Sequence, residues 1–178
     1  MQTISFLCYL KETCGITGPS LVVCPLSVLS SWCKEIPKWA PTLKFHRLHS
    51  PDATEQENQR KILAERGSDY DVILTTYEMI KAPQLSRAWS RLHFNMLVLD
   101  EGHRIKNHES QISIAMRKIH CENRLILTGS KCASFSGEDL GVWKERSNTF
   151  SLLVGWDRYN GQLLKFVSFL LPCSSAAE

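Results

Sequence analysis

The sequence predicts an α/β fold, a parallel sheet with flanking helices. Three observations predict it. Short apolar runs recur at Leu21–Cys24, Asp71–Thr76, Asn95–Asp100 and Arg124–Thr128. Segments of helical pattern lie between them, which implies parallel strands joined by right-handed crossovers. Thr75, Thr76, Asp100, Glu101, Thr128 and Gly129 all fall at the carboxyl ends of these runs. That rim is where open parallel sheets bind ligands.

The elements follow in order. Residues 2–13 carry Ile4, Leu7, Cys8 and Leu10, which predicts a buried helix stopped by Gly15 and Gly18-Pro19. The start, MQTISFLCYLKET, has no basic segment before its apolar run and reads as a helix, not a secretory leader. Leu21–Cys24 is a buried strand ended by Pro25. Ser27 is the expected N-cap of a helix reaching Trp39, with Val28, Leu29, Trp32 and Ile36 on one face. Leu43–Leu48 alternates weakly, a candidate strand. Residues 50–66 are polar and charged, a solvated helix ended by Gly67. Asp71–Thr76 is the next strand, and residues 77–91 read as short helical pieces broken at Pro83. Asn95–Asp100 is a third apolar strand. Residues 110–120 place Ile112, Ile114, Ala115 and Ile119 at helical spacings before the fourth strand, Arg124–Thr128.

After Gly129 the character changes. Residues 130–148 are rich in Ser, Gly and charge. Two apolar runs follow, FSLLVGWDRY and QLLKFVSFLL, separated by Asn160-Gly161. Asn-Gly between apolar runs predicts a β-hairpin over residues 150–171 through a type I′ turn. The chain thus divides into residues 1–129 and a divergent tail, 130–178.

Bulk properties narrow the class. The 178 residues suffice for one cored domain, and 43% hydrophobic with 22% charged residues is ordinary for a globular protein. A net charge of +3 does not by itself argue for nucleic acid or a membrane surface. No run reaches the ~18 uncharged apolar residues of a membrane span. The seven cysteines are scattered, with no C-x-x-C pair. Reduced thiols are therefore expected, rather than a disulfide framework or a zinc site.

The chemistry concentrates in LVLDEGHRIKN, residues 97–107. Two adjacent carboxylates end an apolar strand. In nucleotide hydrolases the first typically holds Mg²⁺ and the second polarises the attacking water. A strand followed by an acidic turn is the plain alternative. His103 is placed to relay between the nucleotide site and a neighbouring segment. Thr128-Gly129 is either a small-residue turn or a contact to the carboxylates. Pro25-Leu26-Ser27 and Thr75-Thr76-Tyr77 sit at strand-to-helix turns, where N–H groups and hydroxyls either bind phosphate oxygens or simply cap helices. Arg104 and Lys106 read as a solvated or locally paired basic turn rather than a DNA contact.

Four stretches, GPSLVVCPLSVLSSWCKEIPKW, DVILTTYEMI, LVLDEGHRIKNHES and NRLILTG, resemble in order and spacing motifs Ia, Ib, II and III of the Swi/Snf-type chromatin-remodelling ATPases of helicase superfamily 2. The ISWI-type branch looks nearest, although DEGH replaces the more usual DEAH of that branch. The resemblance covers residues 1 to about 129. It implies an incomplete RecA-like first lobe, ATP and Mg²⁺ as cofactors, and translocation on nucleosomal DNA in the nucleus with remodelling-complex subunits as partners. By that match Asp100 and Glu101 are the Walker B pair and Mg²⁺ ligands, and His103 is the motif II histidine. Thr128 and Gly129 belong to motif III and face the cofactor. Pro25, Ser27, Thr75 and Thr76 face DNA.

The family carries a phosphate loop, G-x-G-K-T, just before a segment like IQTISFL. Here the chain reads MQTISFL from its first residue, and no G-x-x-x-x-G-K-[ST] occurs elsewhere in it. The loop's place is therefore expected to precede Met1. After LTG the family continues TP, whereas this chain reads SKCASFSG. These 178 residues are accordingly expected to be inactive alone. A non-catalytic isoform that binds DNA or remodeller partners is the alternative, and an unrelated α/β carboxylate–metal enzyme is a third reading. The strand that leads into the phosphate loop would also be missing. Phe150–Tyr159 or Leu163–Leu171 is expected to fill part of that gap or to pad an edge.

Overall fold

The computed structural model describes residues 2–105, 107, 109–128, 149–154 and 166–167. The strands are β1 (Ser20–Cys24), β2 (Phe45–Leu48), β3 (Val72–Thr76), β4 (His93–Leu99), β5 (His120–Thr128), β6 (Thr149–Val154) and β7 (Phe166–Val167). The helices are α1 (Gln2–Glu12), α2 (Leu26–Trp39), α3 (Ala53–Arg66), α4 (Tyr77–Lys81), α5 (Pro83–Trp89) and α6 (Gln111–Arg117). The sheet order is β2-β3-β1-β4-β5-β6-β7. All neighbours from β2 to β6 are parallel, and β7 runs antiparallel to β6.

Every residue of β1 and β3 is buried, so both faces of these central strands are covered. The strand period of two sorts their side chains between two cores. Leu21, Val23, Ile73, Leu97 and Leu99 face one, packed with Leu63, Ile80, Leu85, Trp89 and Met116 from α3 to α6. Val22, Cys24, Leu74, Met96 and Val98 face the other, packed with Ile4 and Leu7 of α1 and Leu29 and Ile36 of α2. The architecture is α/β, a parallel sheet flanked by helices on both faces.

Local differences from the sequence reading have physical reasons. α2 begins at Leu26, with Pro25 as its cap residue and no side-chain cap hydrogen bond. Ser27 is therefore not the N-cap; the fixed φ of Pro25 already sets the turn. The same helix runs through Pro37 to Trp39. Pro83 opens α5 at its first turn, where a missing N–H costs nothing. Asp52 caps α3, accepting from Thr54 N–H at 3.3 Å. β5 starts at His120, earlier than its apolar run, because His120–Asn123, polar apart from buried Cys121, continue the pairing with β4.

The tail supplies β6, which lies beside β5 in parallel register from Asn123↔Thr149 to Thr128↔Val154. Lys106, Gly129 and the Asn160-Gly161 turn lie outside the described residues.

Candidate functional site

The carboxyl ends of β1, β3, β4 and β5 share one edge of the sheet. From β1 the chain leaves toward β2 on one side, and from β4 it leaves toward β5 on the other. The gap between the ends of β1 and β4 is thus a topological switch point, the crevice where such sheets bind ligands. Asp100 sits there. Its backbone N–H donates to Val23 O at 2.8 Å, tying the end of β4 to β1.

The Asp100 carboxylate is half-buried and held at both oxygens. Trp32 Nε1 on α2 donates to Oδ2 at 2.8 Å, and the Glu101 backbone N–H donates to Oδ1 at 3.0 Å. The Asp100 backbone carbonyl accepts from the Tyr77 hydroxyl at 2.7 Å. Burial pushes the Asp100 pKa above the ordinary carboxylate value, and the Trp32 and Glu101 N–H donors oppose that shift. Burial first, and then the Asp100 charge, raises both Tyr77 and Cys24, with Cys24 pushed up to about 12.

Glu101 adopts φ 55°, left-handed backbone in a residue with a side chain. Such conformations cost ~1–3 kcal/mol and persist where surrounding structure enforces them. The turn leaves the Glu101 side chain exposed, with Oε2 3.2 Å from His103 Nδ1. Ile126 explains why a residue without a Cβ follows at 102. A Cβ built there would lie 2.1 Å from Ile126 Cγ2 on β5. Arg104 lies over the Tyr77 ring at 5.5 Å and pairs with Glu78 at 3.3 Å, so of the solvated and locally paired readings the second holds for it. The segment is moored to α6, where Ser113 Oγ lies 2.9 Å from Ile105 O and 2.8 Å from Asn107 O.

The remaining residues singled out from the sequence are placed as follows. Thr75 and Thr76 are fully buried. Thr75 Oγ1 donates to Leu48 O at 3.0 Å, and Thr76 Oγ1 caps α4 by accepting from Met79 N–H at 3.4 Å. Pro25 is buried and Ser27 exposed at the first turn of α2. Thr128 is the last residue of β5. The sequence reading missed Trp32 as a partner of Asp100, having placed it only on a core-facing helix stripe. The available signal was the indole N–H, which needs an acceptor when its ring is covered.

Among the described residues no group of three or more His, Cys, Asp or Glu side chains is arranged to hold a metal by itself. Mg²⁺ needs less: one or two carboxylates, with phosphate oxygens and water completing its shell. Asp100 and Glu101 are hard oxygen donors at the switch point. The two N–H donors on Asp100 orient its carboxylate while leaving each oxygen a second lone pair. The carboxylates present fit Mg²⁺.

A sequence profile described as the SNF2-related domain matches residues 1–134. The chain is 42% identical over 132 residues to the transcription regulatory protein SNF2 of Saccharomyces cerevisiae, covering 73% of this chain and 7% of that protein. It is 39% identical over 130 residues to the ISWI chromatin-remodeling complex ATPase ISW2 of the same yeast, covering 73% of this chain and 11% of that one. Both branches therefore match at similar identity, and the chain spans only a small part of either relative. Among solved structures it resembles the Sulfolobus solfataricus SWI2/SNF2 ATPase core in complex with dsDNA, with a TM-score of 0.63 and 32% identity over 78% of this chain and 27% of that one. With the sheet order and the carboxylate-bearing switch point, these similarities place the chain in the SNF2-related domain family, as a fragment of its ATPase core.

Proposed function

We propose that these residues form the carboxylate half of an ATP–Mg²⁺ site in the first RecA-like lobe of a nuclear chromatin-remodelling ATPase that moves on nucleosomal DNA. The observation that carries the reading is Asp100 at the β1–β4 switch point, its carboxylate oriented by Trp32 and Glu101 N–H groups. In this reading Asp100 holds Mg²⁺. Glu101, turned outward by its left-handed backbone, orients the attacking water, and His103 positions Glu101. Thr128 closes the neighbouring strand β5, and with Gly129, next in sequence, it is assigned a contact to the cofactor. Bound Mg²⁺ would neutralise charge developing on the phosphates. Support for DNA and remodelling-complex subunits as partners comes from the relatives' names and from the dsDNA in the archaeal complex.

A second reading concerns the 178 residues by themselves. They contain no G-x-x-x-x-G-K-[ST], the loop whose amides and lysine cradle β- and γ-phosphates. On their own they would bind DNA or partner proteins without turnover.

RNA reads across codon 1 and Ser130 give the longest protein that contains these residues. In that protein Glu101→Gln should cut DNA-stimulated ATP hydrolysis at least ~100-fold while nucleotide binding persists. Hydrolysis at the unsubstituted rate would overturn the assignment. DNA binding by the 178-residue chain that ignores ATP would favour the second reading.

A further inference from the structure

Away from the carboxylates, the surface opens into a cleft of about 450 Å³ between α4–α5 and α6. Ile80, Trp89, Ile114 and Ile119 contribute its apolar lining, Ile114 being the most open of them, and Ser86, Ser90 and Gln111 add uncharged polar groups. The one polar atom of the Trp89 side chain is already used, since Nε1 donates to Met79 O at 3.4 Å. Each wall ends in an exposed lysine, Lys81 closing α4 and Lys118 following α6. Among the described residues no carboxylate lines the cleft, and neither lysine enters a salt bridge.

An apolar floor between two cations, with no anion nearby, is complementary to an apolar side chain flanked by carboxylates. We propose that this cleft docks an acidic peptide segment of a partner protein, with one large apolar residue on the floor and acidic neighbours paired to Lys81 and Lys118. Nucleic acid suits the cleft less well. A phosphate backbone gains from a row of cations, whereas here there is one per wall, with only uncharged side chains between them. The occupant would also touch α6, which moors the Ile105–Asn107 segment through Ser113. The inference stands independently of the nucleotide reading.

The test is selection of random 12-residue peptides displayed on phage against the full 178-residue chain. The expected winners carry Asp or Glu flanking Leu, Ile, Phe or Trp. Their affinity, read by fluorescence anisotropy, should fall about tenfold or more in the Lys81→Glu, Lys118→Glu double variant. Replacing the peptide acids with Lys should restore binding to that variant. Winners without acidic residues, or affinities indifferent to the double substitution, would overturn the proposal. So would a short DNA duplex whose binding the same substitutions abolish while no peptide is enriched.

Discussion

The Trp32 indole N–H donates to Asp100 Oδ2 at 2.8 Å, joining a helix to a strand end 68 residues further along the chain. A hydrogen bond to a carboxylate held partly out of water is worth ~1.5–3 kcal/mol. Trp32→Phe keeps most of the ring and removes the donor. It should destabilise the fold by about 1–2 kcal/mol in guanidinium unfolding. Combined with Asp100→Ala, the two losses should fall short of their sum by about 1 kcal/mol. Strict additivity would show that the bond contributes nothing.

Gly102 and Ile126 set a steric limit on the DEGH turn. With a Cβ at residue 102 lying 2.1 Å from Ile126 Cγ2, Gly102→Ala must displace the Ile126 side chain or the strand beneath it. Overpacking of this kind costs ~1–3 kcal/mol. Leucine carries no methyl branch at Cβ, so Ile126→Leu should recover much of the loss in the double variant. Thermal unfolding of the two single variants and the double variant measures this. A Gly102→Ala variant as stable as the parent would mean that Ile126 moves aside freely. The same contact gives a physical reason why glycine stands here in place of the alanine of DEAH.

The strands and the rim were legible in the sequence because both rest on local signals. Buried parallel strands are short apolar runs, and Asp100-Glu101 closes one of them. Element ends were less legible where tertiary pairing outweighed pattern, as in His120–Asn123, mostly polar in sequence, which extend β5 along β4. The support of the site was least legible. Trp32 and Tyr77 reach Asp100 from α2 and α4, and such long-range hydrogen bonds leave no trace in spacing. The burial of Thr75 and Thr76 was hidden for a related reason. A hydroxyl at a strand end looks equally ready for a phosphate or a helix cap until its acceptor is known.

Cys24 should remain a thiol at pH values where ordinary cysteines ionise. Burial, reinforced by Asp100, pushes it up to about 12, against ~8.5 in an unfolded chain. Between those values the folded state holds a proton that the unfolded state has lost. The associated stability is therefore intact below about pH 8.5 and falls as pH rises toward 12, by up to ~1.4 kcal/mol per pH unit. Cys33 and Cys121 are also raised by burial and act in the same direction. Guanidinium unfolding at pH 8 and pH 10 should show the decline, with a shallower slope in Cys24→Ala. Peptide mapping after brief iodoacetamide treatment should find exposed Cys14 modified ahead of Cys24. Equal labelling, or an unchanged slope in Cys24→Ala, would contradict this.

The rim threonines and Ser27 should separate by role. Thr76 Oγ1 accepts from Met79 N–H and also lies 3.4 Å from His49 Nδ1, so its hydroxyl holds the start of α4. Thr76→Ala should cost about 1 kcal/mol of stability, and Thr76→Ser should retain most of it. Ser27 is exposed in the first turn of α2, whose N-terminus carries partial positive charge and no side-chain cap. If DNA phosphates approach this rim, Ser27→Asp should weaken duplex binding several-fold at low salt, with less effect at high salt. It should leave unfolding unchanged or slightly improved, because an anion suits a helix N-terminus. Salt-titrated DNA binding and denaturation of both variants distinguish the roles. Weaker DNA binding in properly folded Thr76→Ser, with Ser27→Asp unaffected, would move the contact from the α2 turn to the α4 turn.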